Sequence, residues 1–330
     1  MERALLRRSV SIGGLVVVAL LLLLLAPLWL VGGFIIDLIR GKWRLPIVRL
    51  LTFGTCWCWL EIAGVAMAGA LWISGQSHRR SAHYAIQRWW SSRLVGALRV
   101  TCALRVEIEG LDTLGTGPMV ALCRHASIAD ALVVGWVLSA QAHRKPRFVL
   151  KKELSFDPCL DVVGRRVPNY FVDRRAVNTQ TEINGIAEMA NGMTDGDVAI
   201  IFPEGTRTNP KKQAQVLQKL KDRDPQRGAL LAGLKYLLPP KFAGAAALIA
   251  AVPNADVITV SHVGFDGLNN FRGMLSQVAA KQSAARVVIT RHARENIPSG
   301  ADFVAWLDAQ WIEMDRKLSE IMLVAKRGEI

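Results

Sequence analysis

Apolar positions along this chain fall into two regimes. Val10–Ile36 carries no charged residue over 27 positions, where about 20 are enough for a helix to cross a hydrocarbon core. Arg3, Arg7 and Arg8 precede it like the n-region of a signal peptide. The run is too long for an ordinary h-region and no small-x-small site closes it, so an uncleaved anchor is expected. Pro27 and Gly32–Gly33 are placed to kink it. Leu50–Ser74 is a second apolar run, interrupted by Glu61. A carboxylate at mid-bilayer costs roughly 2.5–3.5 kcal/mol, so this segment reads as shallow or re-entrant, with Glu61 a neutral or snorkelling acid at the interface in preference to a buried polar contact.

Basic residues do not orient the pair. Arg40, Lys42, Arg44 and Arg49 lie between the two runs and nearly match Arg3, Arg7, Arg8, Arg79 and Arg80 on their flanks. A hairpin dipping into one leaflet from the cytoplasmic side and a spanning hairpin both fit. Over Tyr84–Cys102 the period becomes helical, with Ile86, Trp90, Leu94, Ala97, Leu98 and Thr101 on one face and Arg88, Arg93 and Arg99 interleaved. That pattern predicts a helix over 84–102 lying in the interface with Trp89 and Trp90 at headgroup depth; packing on a domain core fits nearly as well.

From Arg105 onward the pattern changes to short apolar runs alternating with helical ones. Strands are expected at Arg105–Glu109, Pro118–Cys123, Arg147–Lys151, Asn169–Asp173, Val198–Phe202, Asp256–Ser261 and Arg286–Thr290. Helices are expected at Ser127–Ala140, Thr179–Met193, Gly228–Leu237 and Ala301–Val324, the last with Ser299 as N-cap. Asn209–Asp224, polar and Lys-rich, reads as an exposed insertion or loop. Alternation of this kind predicts an α/β fold with helices on both faces of a mixed sheet. The chain divides accordingly into a membrane anchor, 1–82, with its apolar segments at about 10–36 and 50–74, and an α/β domain, 83–330.

Charge narrows the partner. The chain has 41 Lys+Arg against 27 Asp+Glu, a net +14, and 51% hydrophobic residues. The excess favours an anionic partner. The apolar N-terminus selects lipid headgroups over nucleic acid, for which no basic-aromatic signature is present. The five cysteines are odd in number and none pairs with His at zinc-like spacing, so neither a disulfide framework nor a metal site is expected.

Two runs carry the chemistry. His125-Ala-Ser-Ile-Ala-Asp130 follows an apolar strand and precedes a helical pattern. From that strand end Asp130, about one and a half turns into the helix, can reach back to one ring nitrogen and leave the other to accept a proton. Phe202-Pro-Glu-Gly-Thr-Arg207 closes the next core strand. Gly205 lets backbone approach a ligand, and Arg207 supplies a bidentate phosphate fork; a surface Arg207 paired with Glu204 is the plainer alternative. Together they point to acyl transfer onto a phosphorylated alcohol in a membrane. Cys123, two residues before His125, offers a covalent variant, but a small buried hydrophobe is the better reading. Ser127 lacks the G-x-S-x-G elbow of a hydrolase nucleophile.

In this combination the chain resembles the glycerolipid acyltransferases, the 1-acyl-sn-glycerol-3-phosphate and lysophospholipid acyltransferases, from about Ile86 to the C-terminus. His125-Ala-Ser127-Ile-Ala-Asp130 matches their catalytic H-x4-D, and Tyr170-Phe-Val-Asp173-Arg174 is similar to their second block. Phe202-Pro-Glu204-Gly205-Thr206-Arg207-Thr is close to the third, and Asp256-Val-Ile-Thr-Val-Ser261 stands in the place of the fourth. Val149-Leu-Lys151-Lys152-Glu-Leu resembles the run after the first block. Leu237–Gly244 and Trp306–Asp315 look like the branch acting on lysophosphatidate, lysophosphoinositide and lysocardiolipin. Arg124, Pro168 and a fourth block without proline depart from the usual pattern.

The resemblance implies a glycerol-3-phosphate acyltransferase-like mixed sheet behind an N-terminal hydrophobic helical hairpin. It assigns catalysis to His125 and Asp130. Acceptor phosphate binding falls to Arg174, Glu204, Gly205, Thr206 and Arg207, and charge stabilisation to Lys151. The implied reaction moves a fatty acyl group from acyl-CoA or acyl-carrier protein to the sn-2 hydroxyl of 1-acyl-glycerol-3-phosphate, giving phosphatidic acid. Other acceptors are lysophosphatidylinositol, lysocardiolipin or an amino-acid lipid. A thioester is already activated, so no cofactor or metal is expected. The expected partners are membrane lipids, the lysophospholipid and the acyl donor. The catalytic domain is expected on the cytoplasmic face, of a bacterial inner membrane rather than the endoplasmic reticulum. A non-catalytic adaptor binding anionic lipid through its basic face is the rival of a different class.

Overall fold

The computed structural model describes residues 2–176, 178–265, 268, 270–280 and 284–327. Packing divides the chain into two compact units that interleave in sequence. One comprises Met1–Arg105, Leu150–Arg175 and Leu268–Gln282; the other comprises Val106–Val149, Ala176–Gly267 and Ser283–Ile330.

All seven expected strands form: β1 Val106–Glu109, β2 Met119–Cys123, β3 Lys145–Lys151, β4 Tyr170–Val172, β5 Asp197–Ile201, β6 Asp256–Val263 and β7 Ala285–His292. The sheet is ordered β1-β7-β6-β2-β5-β3-β4. It is mixed, because β6 and β7 run antiparallel while β2 runs parallel to both β5 and β6. Every residue of β2 and β5 is buried, which is why both read as unbroken apolar runs rather than alternating ones. Helices cover this sheet. They include α5 Asp130–Trp136, α7 Thr179–Ala190, α10 Phe242–Ala251 and α12 Asp302–Arg327. Of these, α10 packs on β2, β5 and α7, while α12 packs on β6.

Three expectations need correction in this unit. Asn209–Asp224 is not a loop but an exposed helix, α8 Pro210–Arg223. Asn209 accepts the Lys212 N–H as its N-cap, Pro210 opens the first turn, and Val216, Leu217 and Leu220 recur at helical spacing. The expected helix Gly228–Leu237 is instead a short α9, Pro225–Leu230, and one tight turn, Leu231–Gly233. The chain then straightens because the N–H groups of Lys235, Tyr236 and Leu237 all donate to Asp315. Amides spent on that carboxylate are not available to the i−4 carbonyls that would continue the helix. Finally, α12 begins at Asp302 beyond Gly300 at φ +66°, so Ser299 is not its N-cap.

In the first unit the long N-terminal run becomes two helices, α1 Glu2–Leu24 and α2 Ala26–Ile39, broken beside Pro27. The proline has no N–H to continue the ladder, and Trp29 Nε1 donates to the Leu22 carbonyl across the break (2.7 Å). Helices α3 Pro46–Ile73 and α4 Arg80–Cys102 follow. By length and composition α1 (Ala4–Leu24) and α3 can each cross a membrane. Buried Asp37 receives the first free N–H groups of α3, from Ile47 and Val48.

Glu61 is not an acid at an interface. It is 2% exposed and accepts hydrogen bonds from Trp57 Nε1 and from the N–H of Cys159 (both 3.1 Å), so the buried polar contact is its role. Cys159 lies in the first turn of the short helix α6, Pro158–Val162, which approaches α3 at Gly64, where a β-carbon would lie 2.7 Å from Cys159 Sγ. Ala68, Ile86, Cys159 and Val163 form a core there, and Trp90 packs against it. Arg7, Arg8 and Arg165 converge on Asp161 at 2.6–2.8 Å.

Candidate active site

Strand β2 ends the ladder at Arg124, whose N–H donates to the Val260 carbonyl of β6. The next five residues wrap around a carboxylate. Asp130 is the first residue of α5, not one and a half turns in, and it is fully buried. Its Oδ2 accepts the N–H groups of Ala126 (2.6 Å) and Ser127 (2.7 Å) and bonds His125 Nδ1 (3.1 Å). Its Oδ1 accepts from the Ser127 hydroxyl and lies 3.3 Å from His262 Nε2. Burial pushes the Asp130 carboxyl up, but His262, His125 and Ser127 outweigh it and hold the group below the usual carboxylate range. An ionised carboxylate only accepts hydrogen bonds. The proton of the pair therefore sits on Nδ1 of His125. Nε2 makes no hydrogen bond among the described residues, and the side chain is 21% exposed. The Phe202 ring holds the imidazole at a centroid distance of 4.9 Å.

The loop after β5 grips His125 by its backbone. Glu204 Oε1 accepts the His125 N–H (2.7 Å), and the Thr208 N–H donates to the His125 carbonyl (2.9 Å). Glu204 Oε2 accepts the Leu238 N–H (2.9 Å) and the Thr208 hydroxyl. Only 2% exposed, Glu204 is neither a phosphate ligand nor half of a surface pair with Arg207. Both its oxygens are filled from inside, and a carboxylate has nothing to donate to an anion. It positions His125. Burial pushes it up to about 7 against the hydrogen bonds that favour its charge. Gly205 turns the loop at φ +68°, a conformation that suits glycine, and presents Thr206 and half-buried Arg207.

Of the residues expected at the site, His125, Asp130 and Glu204–Arg207 belong to one unit. Lys151 and Arg174 belong to the other. Lys151 Nζ lies 3.4 Å from Glu153 Oε1, and Arg174 is exposed just past β4. Sequence reasoning missed Thr208 and His262. The first is the last letter of the third run; the second directly follows the strand read as ending at Ser261. Arg124 is also accounted for, because its buried guanidinium donates to the His262 carbonyl.

Cys123 is fully buried, and burial, followed by the charge of Asp130, pushes its thiol far above the ordinary range. It has no thiolate to attack with. Cys123→Ala is expected to keep kcat within about threefold, and initial-rate patterns to be sequential. A covalent route would instead give ping-pong patterns that vanish with the thiol.

The family model described as Acyltransferase matches residues 105–263, from β1 through β6. Among curated proteins none matches this sequence. Among solved structures, the crystal structure of the 1-acyl-sn-glycerophosphate (LPA) acyltransferase PlsC from Thermotoga maritima superposes with a TM-score of 0.50 at 15% identity. The match covers 80% of this chain and 95% of that one. That likeness is one of fold. His125, Asp130 and the Glu204–Arg207 loop all fall inside the matched region, and the family that this model describes is the one that the sequence resembles.

Proposed function

We propose that this acyltransferase moves a fatty acyl group from acyl-CoA or acyl-carrier protein to the sn-2 hydroxyl of 1-acyl-glycerol-3-phosphate, yielding phosphatidic acid. The observation that carries the reading is the His125–Asp130 pair, whose outer nitrogen is uncommitted, within the family-matched residues. Nε2 takes the proton of the acceptor hydroxyl as its oxygen attacks the thioester carbonyl. The tetrahedral oxyanion collapses, the carbon–sulfur bond breaks, and the imidazolium returns the proton to the departing thiolate. Asp130 holds the ring and balances its transient charge. Arg207, on its glycine turn, holds the acceptor phosphate, so binding becomes alignment of the hydroxyl. The roles of Arg174 at that phosphate and of Lys151 at the oxyanion rest on resemblance alone.

The same reading puts α1 and α3 in a membrane, with the catalytic domain on its cytoplasmic face and a bacterial inner membrane ahead of the endoplasmic reticulum. Support comes from two helices long and apolar enough to cross and from the net +14 charge. A second acceptor class, lysophosphatidylinositol or lysocardiolipin, is favoured by the Leu237–Gly244 run, part of which is tied to Glu204.

The deciding experiment presents the purified full chain, in mixed micelles, with a panel of lysophospholipids and follows release of free CoA. Lysophosphatidate giving the highest kcat/KM supports the first reading. Lysophosphatidylinositol or lysocardiolipin leading selects the second. CoA release that no acceptor stimulates overturns both.

A further inference from the structure

Residues 234–241 have no regular structure, yet buried polar side chains fix them at nearly every step. Asp315, 5% exposed, takes the N–H groups of Lys235, Tyr236 and Leu237 at 2.7–3.0 Å. Glu204 takes that of Leu238. Arg227 clamps Asp308 through two nitrogens (2.6 and 2.8 Å) and donates to the Pro240 carbonyl (2.8 Å). The N–H of Lys241 donates to the Pro203 carbonyl (2.9 Å). Burying several charged groups to hold an irregular stretch is costly unless its position matters.

What this stretch delivers is Lys241. A β-carbon built on Gly205 would lie 3.2 Å from Lys241 Nζ and 3.4 Å from its Cδ and Cε. The end of the lysine arm therefore lies across the bare α-carbon of Gly205, and the residue is exposed. Gly205 serves twice, by its positive φ and by leaving room for an ammonium. That ammonium stands at the loop from which Arg207 projects, so the loop carries one guanidinium fork and one point charge. A phosphomonoester with close to two negative charges at neutral pH matches that pair.

We infer that Lys241 is a second cation for the phosphate held at the Gly205–Arg207 loop. The inference rests on the proposed reading of that loop as a phosphate site. The phosphate comes either from the acceptor or from the CoA of the donor, and kinetics separates them. Lys241→Met and Lys241→Arg are assayed in the full chain with oleoyl-CoA as donor. The acceptors are 1-oleoyl-glycerol-3-phosphate and its dephosphorylated counterpart, 1-oleoyl-glycerol.

Lys241→Met is expected to raise KM for the phosphorylated acceptor about tenfold, with kcat changed less than about threefold. Preference over 1-oleoyl-glycerol should fall by the same factor, and Lys241→Arg should restore most of it. A rise in KM for oleoyl-CoA instead assigns the cation to the donor's phosphates and still supports the inference. Unchanged KM for both, or equal losses with both acceptors, overturns it. Arg207→Met is the control. If Arg207→Met lowers phosphate preference and Lys241→Met changes neither that preference nor the KM for oleoyl-CoA, only this inference fails. If neither does, the phosphate reading of the loop fails with it.

Discussion

His125→Ala is expected to lower kcat for acyl transfer by about 10³-fold, the range that a positioned general base supplies. The imidazole is partly exposed and Asp130 keeps the N–H groups of Ala126 and Ser127, so the variant should fold with a melting temperature that is little changed. The backbone bonds to Glu204 and Thr208 survive, because they use the main chain of residue 125. KM for the acceptor should move little, since the ring is not part of the phosphate site. Asp130→Asn should cost nearly as much by a different route. An asparagine must turn its amide either toward the N–H groups of Ala126 and Ser127 or toward His262, and one set of donors then faces a donor. Its loss therefore includes stability, which His125→Ala spares. The double variant should be little slower than the worse single one, because the two residues act as a unit. A folded His125→Ala enzyme within tenfold of the parent would remove the imidazole from the mechanism.

Residues 105–263 were legible where one physical requirement dominates. Strands β2 and β5 are buried on both faces, and nothing but an apolar run can occupy such a position. The His125–Asp130 interval was legible as chemistry but not as geometry. Five residues fit no helical face, and the fit comes from a turn that folds two main-chain N–H groups onto the same oxygen. Glu204 was misread for a related reason: its letter sits in a run read as phosphate-binding, but its Oε2 is taken by the N–H of Leu238, 34 residues away. The 234–241 stretch defeated pattern reading because its path is dictated by Asp315 and Glu204, and no local period announces a distant carboxylate. Glu61 is the membrane-end counterpart. It accepts the N–H of Cys159, a donor that lies 98 positions further along the chain.

Glu204→Gln is expected to disturb both stability and rate, and its pH dependence gives the sharper test. In the unfolded chain this carboxyl ionises near its ordinary 4.5, whereas in the folded protein burial pushes it up to about 7. The folded state thus binds the proton more tightly. Its contribution to stability is complete below about pH 4.5 and is lost as pH rises through 7, a span worth about 3 kcal/mol at roughly 1.4 kcal/mol per pH unit. Glutamine cannot titrate, so unfolding free energy in urea should lose this downward slope between pH 5 and 7. At pH 5 the variant should also be weaker by roughly 1–3 kcal/mol, because its amide cannot accept the N–H of Leu238 on the side where Oε2 stood. The acceptor on the other side remains for the His125 N–H, yet the loop that carries it shifts. Displacement of a general base by even about 1 Å costs on the order of 10² in rate, so kcat should fall by that factor although Arg207 and Lys241 are both still present. If the variant kept the parent's slope, some other group would own it. If it also kept the parent's rate, the clamp on His125 would be structural only, and the first and third sequence blocks would meet without catalytic consequence.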